Sequence, residues 1–168
     1  LEQAATIHTV AFDKTGTLTY GRPRVSSVEA LEGDELSLLR TAASLEQGSE
    51  HPLARAIVAA ARERGLALRP VERFESLTGL GARGSVDGAE VAAGNPRLFP
   101  GVEEREPALA PALGRVRSQG GTAVVVVVEG RPAGVVGLTD EPRAEAADAL
   151  RALRRLGIGR TVLLTGDH

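Results

Sequence analysis

Two short apolar runs, one near each end of the chain, each close on a carboxylate, and that pairing limits the fold more than any other feature. Thr9-Val10-Ala11-Phe12 stops at Asp13, and Arg160-Thr161-Val162-Leu163-Leu164 stops at Thr165-Gly166-Asp167. Runs this short, bounded by hydroxyl residues and glycine, read as buried strands. Ahead of the second run, Thr139-Asp140-Glu141-Pro142 reads as a helix start. Ala146, Ala149, Leu150 and Leu153 continue the helix to a stop at Gly157. A helix over 142–156 can cross between two parallel neighbours. An acid at the carboxyl end of such a strand lies in the crevice where open α/β sheets bind ligands.

The loop after the first strand is Asp13-Lys14-Thr15-Gly16-Thr17-Leu18-Thr19, a carboxylate followed by hydroxyls around one glycine. Hydroxyls and backbone N–H groups hold the oxygens of a phosphoryl group. A carboxylate can accept that group as an acyl phosphate. Lys14 is the only lysine in the chain, every other fixed cation being arginine. An ammonium beside a carboxylate in so arginine-rich a sequence points to a phosphate partner.

The residues between carry a different pattern. Tyr20-Gly21-Arg22-Pro23 reads as a turn, and Arg24 to Glu29 as a short extended piece. Gly33-Asp34-Glu35 opens a helix with Leu36, Leu39 and Ala43 on its apolar side. A second helix starts at Ser49-Glu50-His51-Pro52 and ends at Gly65. Strands are predicted at 71–77, 84–86 and 90–93, the last two joined by Asp87-Gly88, a hairpin signal. A helix over 107–118 precedes the valine run 124–128, which pairs with 133–138 as a hairpin buried on at least one face. The expected architecture is an α/β half built from the chain ends, 1–23 and 137–168. It carries an inserted α+β domain over 24–136.

Asp13 to Thr19 resembles the phosphorylation motif of P-type cation-transporting ATPases, whose catalytic region belongs to the haloacid-dehalogenase superfamily. That resemblance implies an incomplete parallel-sheet phosphorylation domain and an inserted nucleotide-binding domain, an antiparallel sheet flanked by helices. Phosphatases of the superfamily carry a second Asp two residues after the nucleophile. Here that residue is Thr15, and a hydroxyl is no base near neutral pH, so the acyl phosphate should persist. Ser49-Glu50-His51-Pro52-Leu53-Ala54 is similar to the signature of the heavy-metal-transporting subgroup. There His51 would offer its ring to a purine, and Glu46 would face the adenine amino group. Gly79, Gly81 and Gly84 form a GxGxxG that a hairpin follows, which disfavours a dinucleotide site. They resemble the subgroup's nucleotide loop, and Gly94-Asn95 a further nucleotide contact. Read without the resemblance, His51 caps a helix and the glycines make a tight turn.

By the same resemblance, Thr165, with Gly166 and Asp167, forms a second phosphate-binding loop, and Asp140, with Arg143, lies near a hinge beside the nucleotide. ATP and Mg²⁺ are the implied cofactors, with the cation at Asp13 and Thr15. The implied whole is a cytoplasmic domain of an integral membrane transporter, partnered by transmembrane and actuator domains of the same polypeptide. It would export a transition-metal ion, with zinc, cadmium or cobalt favoured and copper possible. The first residue is Leu1 and methionine is absent, so a fragment is expected that binds ATP or ADP but completes no turnover.

Composition removes other classes. A net charge of −2 gives no footprint for nucleic acid. Without cysteine there is neither a disulfide framework nor a thiolate metal site. The longest apolar run, Ala123 to Val128, is too short to cross a bilayer. Only Phe12, Tyr20, Phe74 and Phe99 are aromatic, so a base would rest mainly on aliphatic groups, glycine backbone and an imidazole. Two alternatives stay open: a soluble phosphatase of the same superfamily, and a nucleotide-binding module without chemistry.

Overall fold

The computed structural model describes residues 8–164, and the side chains of all of these except Lys14 and Thr15. The chain forms two compact units, one built from its two ends, up to Arg22 and from Asp140 onward, the other from Pro23–Thr139.

In the terminal unit β1 (Thr9–Asp13) pairs in parallel with β8 (Arg160–Leu164), with Thr9 opposite Arg160 and Asp13 opposite Leu164. The helix before β8 is α5 (Ala146–Arg155). It ends as Gly157 predicts. That residue sits at φ +92°, where a side chain would be strained, and lets Ile158 N–H reach back to the Leu153 carbonyl while Gly157 N–H bonds Arg154. Ala146, Leu150 and Leu153 are half-buried.

Two expectations fail in the segments that lead out of and into this unit. The predicted turn at Tyr20–Pro23 is instead part of the long strand β2 (Thr19–Ala30), with Gly21 left-handed at φ +67° within it. The predicted helix start at Thr139–Pro142 is instead the end of β7 (Arg131–Pro142). The reason is one side chain. Asp140 takes backbone N–H bonds from Gly21 and Arg22. This ties both stretches together within the strands where local propensity favours turns, and the helix begins only at Ala146.

The middle unit is a six-stranded sheet in the order β2-β7-β6-β5-β4-β3, in which β3 (Val71–Leu77), β4 (Gly81–Val86), β5 (Ala89–Gly94), β6 (Thr122–Val128) and β7 run antiparallel one to the next. The β4–β5 hairpin turns at Asp87-Gly88, both left-handed, as a two-residue loop between twisted strands requires. Helices α1 (Glu35–Glu46) and α2 (Pro52–Glu63) close one core with the sheet: Leu39, Ala42, Leu45, Ile57 and Ala61 meet Val86, Val91, Val124, Val126, Val136 and Leu138. Helix α4 (Leu109–Ser118), with the short α3 (Val102–Arg105), closes a second core. There Leu109, Leu113 and Val116 meet Val125, Val127 and Val135. The valine run is thus buried on both faces, alternate residues serving alternate cores. Each fully buried valine contributes about 1.5–3 kcal/mol. Leu36, expected on the apolar side of α1, is exposed, because the buried stripe runs through Leu38, Leu39, Ala42 and Leu45.

Candidate functional site

Asp13 is the last residue of β1 and its side chain is exposed. Its register partner is Leu164, so Thr165-Gly166-Asp167 follows directly on the residue beside it. Those three residues lie outside the described ones. Lys14–Leu18 makes a single π-helical turn, with Gly16 left-handed at φ +79°.

That turn is held by two side chains from the segment entering α5. The buried Thr19 hydroxyl donates to Asp140 Oδ2 at 2.6 Å and accepts the Gly16 N–H at 3.2 Å. Asp140 Oδ2 and Oδ1 also accept Gly21 N–H at 3.0 Å and Arg22 N–H at 2.9 Å. Arg143 donates through Nε to the Thr19 carbonyl and through Nη2 to the Gly16 carbonyl, at 3.1 and 3.2 Å. Its backbone N–H bonds the Leu18 carbonyl, and its guanidinium lies 5.1 Å from the Tyr20 ring centre. Bonds to a charged group are among the stronger ones. With three donors on its carboxylate, Asp140 fastens the loop. In the sequence Thr19 stands only as the last hydroxyl of the Asp13–Thr19 motif and Tyr20 only in a turn, while Asp140 and Arg143 stand together near a hinge.

The remaining candidates lie in the middle unit. Glu46 ends α1 with 7% of its surface exposed. Burial pushes its carboxyl pKa up from an ordinary 4.5 to about 7. Ser49 N–H bonds its backbone carbonyl at 2.9 Å and begins a turn that reaches His51. His51 caps α2: its Nδ1 accepts Leu53 N–H at 3.3 Å, with Pro52 in the first helical turn. A ring whose Nδ1 accepts is the neutral tautomer with the proton on Nε2, and the His51 side chain is exposed. Capping therefore occupies one nitrogen and leaves the other as a donor.

The three glycines of the GxGxxG each have a steric setting. Gly79 turns between β3 and β4 at φ +72°. Gly81 and Gly94 face each other across β4 and β5. A Cβ on Gly81 would lie 2.1 Å from the Ala93 carbonyl oxygen, and one on Gly94 2.2 Å from that of Leu80. Asn95 N–H also bonds the Leu80 carbonyl at 2.7 Å, while its side chain caps the following turn at Arg97. A Cβ on Gly84 would lie 3.0 Å from the Glu72 carbonyl oxygen and 3.2 Å from Cδ1 of Leu45, the neighbour of Glu46. Thus Gly81 and Asn95 are brought together at the hairpin mouth, and Gly84 supports the end of α1.

Comparison with known proteins gives these positions a context. A family model for haloacid dehalogenase-like hydrolases matches residues 7–168. The chain belongs to that family. This haloacid dehalogenase-like chain is 41% identical over its whole length to a zinc-exporting P-type ATPase of Mycobacterium marinum, of which it covers 23%. It is equally similar, at 41%, to a silver-exporting P-type ATPase of Salmonella typhimurium, covering 20% of that protein. A zinc-transporting PIB-type ATPase in its E2.Pi state superposes with a TM-score of 0.73 at 40% identity, over 99% of this chain and 27% of that one. The catalytic domain of the CPx-ATPase CopB-B, studied for its conformational changes on nucleotide binding, gives 0.69 at 29% identity over 99% of this chain and 57% of that one. The chain thus spans about a quarter or less of the curated relatives it matches. The family expected from Asp13 to Thr19 is the family found, and its close homologues are heavy-metal P-type ATPases.

Proposed function

We propose that this chain is the nucleotide-binding and phosphorylation region of a heavy-metal-exporting P-type ATPase. The terminal unit is its phosphorylation domain and Pro23–Thr139 its nucleotide-binding domain. The observation that carries this is Asp13: an exposed carboxylate at a strand end, in a braced loop, within a chain alike over its full length to such pumps.

A carboxylate oxygen of Asp13 attacks the γ-phosphorus of ATP, the bond to the β-phosphate oxygen breaks, and ADP leaves. Water later cleaves the acyl phosphate, returning phosphate and the free carboxylate. Lys14, Thr15 and Thr165 hold the transferring oxygens, and Gly166-Asp167 completes the second loop. Among the described residues no three His, Cys, Asp or Glu side chains converge to hold a metal ion. Mg²⁺ binds through one or two carboxylates and takes waters and phosphate oxygens as its other ligands, and the exposed Asp13 offers such a carboxylate. Asp13 and Thr15 would hold it, and it supplies charge neutralisation at the phosphoryl group.

In the middle unit Glu46, His51, the Gly79–Gly84 loop and Asn95 receive the nucleotide, with the His51 Nε2 proton and ring face turned to the base. Asp140 acts on the loop rather than on the nucleotide. No described helix is long and apolar enough to cross a membrane. Transmembrane and actuator parts would belong to the longer protein, which exports a transition-metal ion, zinc, cadmium or cobalt before copper.

The test uses the full-length protein and γ-labelled ATP. Acid-stable label should appear on wild type and vanish in Asp13→Asn. Undiminished labelling of that variant would remove the assignment.

A further inference from the structure

Glu46 and His51 are joined by a turn whose centre, Gly48, rests on an aromatic ring. A Cβ at Gly48 would lie 2.8 Å from Phe74 Cγ and 2.9 Å from Cδ2, closer than real side-chain contacts allow. Gly48 is not in the left-handed region, so its backbone would accept alanine. The three atoms nearest to such a Cβ all belong to that ring.

The ring is placed by a defect in β3. Pairing with β4 runs Val71 to Val86 and Glu72 to Ser85, then resumes at Glu75 to Arg83, so β3 holds one extra residue. Within that bulge Arg73 takes φ +50°, an uncommon state for a side-chain residue. Val71 and Phe74, three apart, would face opposite sides of an unbroken pleat. The extra residue turns both onto the α1–α2 core, against which both pack. The Arg73–Glu90 ion pair at 2.6 Å is exposed on both partners and offsets little of the strain. Burial of Phe74 is what the bulge gains.

On either side of Gly48 the turn is pinned. Gln47 Nε2 donates to the Ser44 and Arg69 carbonyls, His51 N–H bonds the Ser49 hydroxyl, and Leu53 N–H bonds His51 Nδ1. Gly48 N–H itself makes a long 3.3 Å bond to Leu45. We propose that Phe74, aimed by the Arg73 bulge, is the positioning residue that sets the height of the Gly48 turn. It thereby fixes how Glu46 and His51 are presented to a nucleotide. This rests on the nucleotide-binding reading of the middle unit.

The experiment compares wild type, Gly48→Ala, Phe74→Leu and the double variant of this chain by ADP and ATP calorimetry and by ¹⁵N NMR of the His51 tautomer. Overpacking against the ring should weaken binding about tenfold in Gly48→Ala, the size expected for a forced core shift. The same variant should lose the single Nε2–H tautomer of His51. Phe74→Leu, which removes the ring without leaving a large cavity, should also bind more weakly. In the double variant, where leucine leaves room for the new methyl, affinity and tautomer should recover towards the Phe74→Leu values. Wild-type affinity in Gly48→Ala, or a double variant as weak as Gly48→Ala, would overturn the inference. Wild type taking up neither nucleotide would overturn the functional reading instead, while the tautomer still decides whether the ring governs the turn.

Discussion

Glu46 is the one buried acidic residue among the described residues. Its carboxyl is buried, and desolvation alone raises its pKa to about 7 from 4.5. The folded chain therefore holds a proton that the unfolded chain has released between those two values. The sign follows: the contribution of this carboxyl to stability is fully present below about pH 4.5, is lost as pH rises through about 7, and is constant above. A shift of this size corresponds to about 3 kcal/mol across that window. Chemical denaturation of wild type and Glu46→Gln across the range checks it: the glutamine variant should lose this decline. Equal slopes in the two proteins would show that the carboxyl is already solvated. A strained acid of this kind is also what an adenine amino group would relieve, by donating to the ionised form.

At the scale of the element, Asp140 decides what β2 and β7 are. One carboxylate takes the Thr19 hydroxyl and two backbone N–H groups, and the same hydroxyl accepts Gly16 N–H. Asp140→Asn presents one acceptor oxygen where two served and puts an amide donor against N–H groups. It should destabilise the terminal unit by about 1–3 kcal/mol and lower phosphoenzyme formation in the full-length protein with little change in nucleotide affinity. Thermal unfolding together with labelling checks this, and a loss of affinity equal to the loss of label would contradict it. The same element shows where sequence reading stops. Helix ends at Gly65 and Gly157, the Asp87-Gly88 hairpin, the valine strand and the parallel pair β1–β8 were legible, because each is written in a few adjacent residues. The length of β2, the continuation of β7 through Pro142 and the bulge at Arg73 were not. Each is set by a partner far along the chain: Asp140 for Gly21 and Arg22, and the helix core for Phe74. The candidate site divides likewise. Asp13 and His51 stood out by motif, whereas Thr19, Tyr20, Gly48 and Phe74 matter through contacts that only folding creates.

At the scale of the molecule the two units are unequally supported. All the fully buried apolar side chains among the described residues lie between Val28 and Leu138, and the terminal unit contributes only Thr19 to the buried set. Since burial supplies most of the favourable free energy, the terminal unit of this chain should open first. Hydrogen exchange then has a definite pattern. Amides of β1, α5 and β8 should exchange well before those of β6 and β7, whose strands are covered on both faces. ADP at a hundredfold excess over its dissociation constant should add about 2.7 kcal/mol to the middle unit. It should slow exchange at the α1–α2 turn and in β4 while leaving β1 and β8 unchanged. Protection that rises equally in both units would mean they open as one cooperative body, and nucleotide binding could not then be assigned to the middle unit alone.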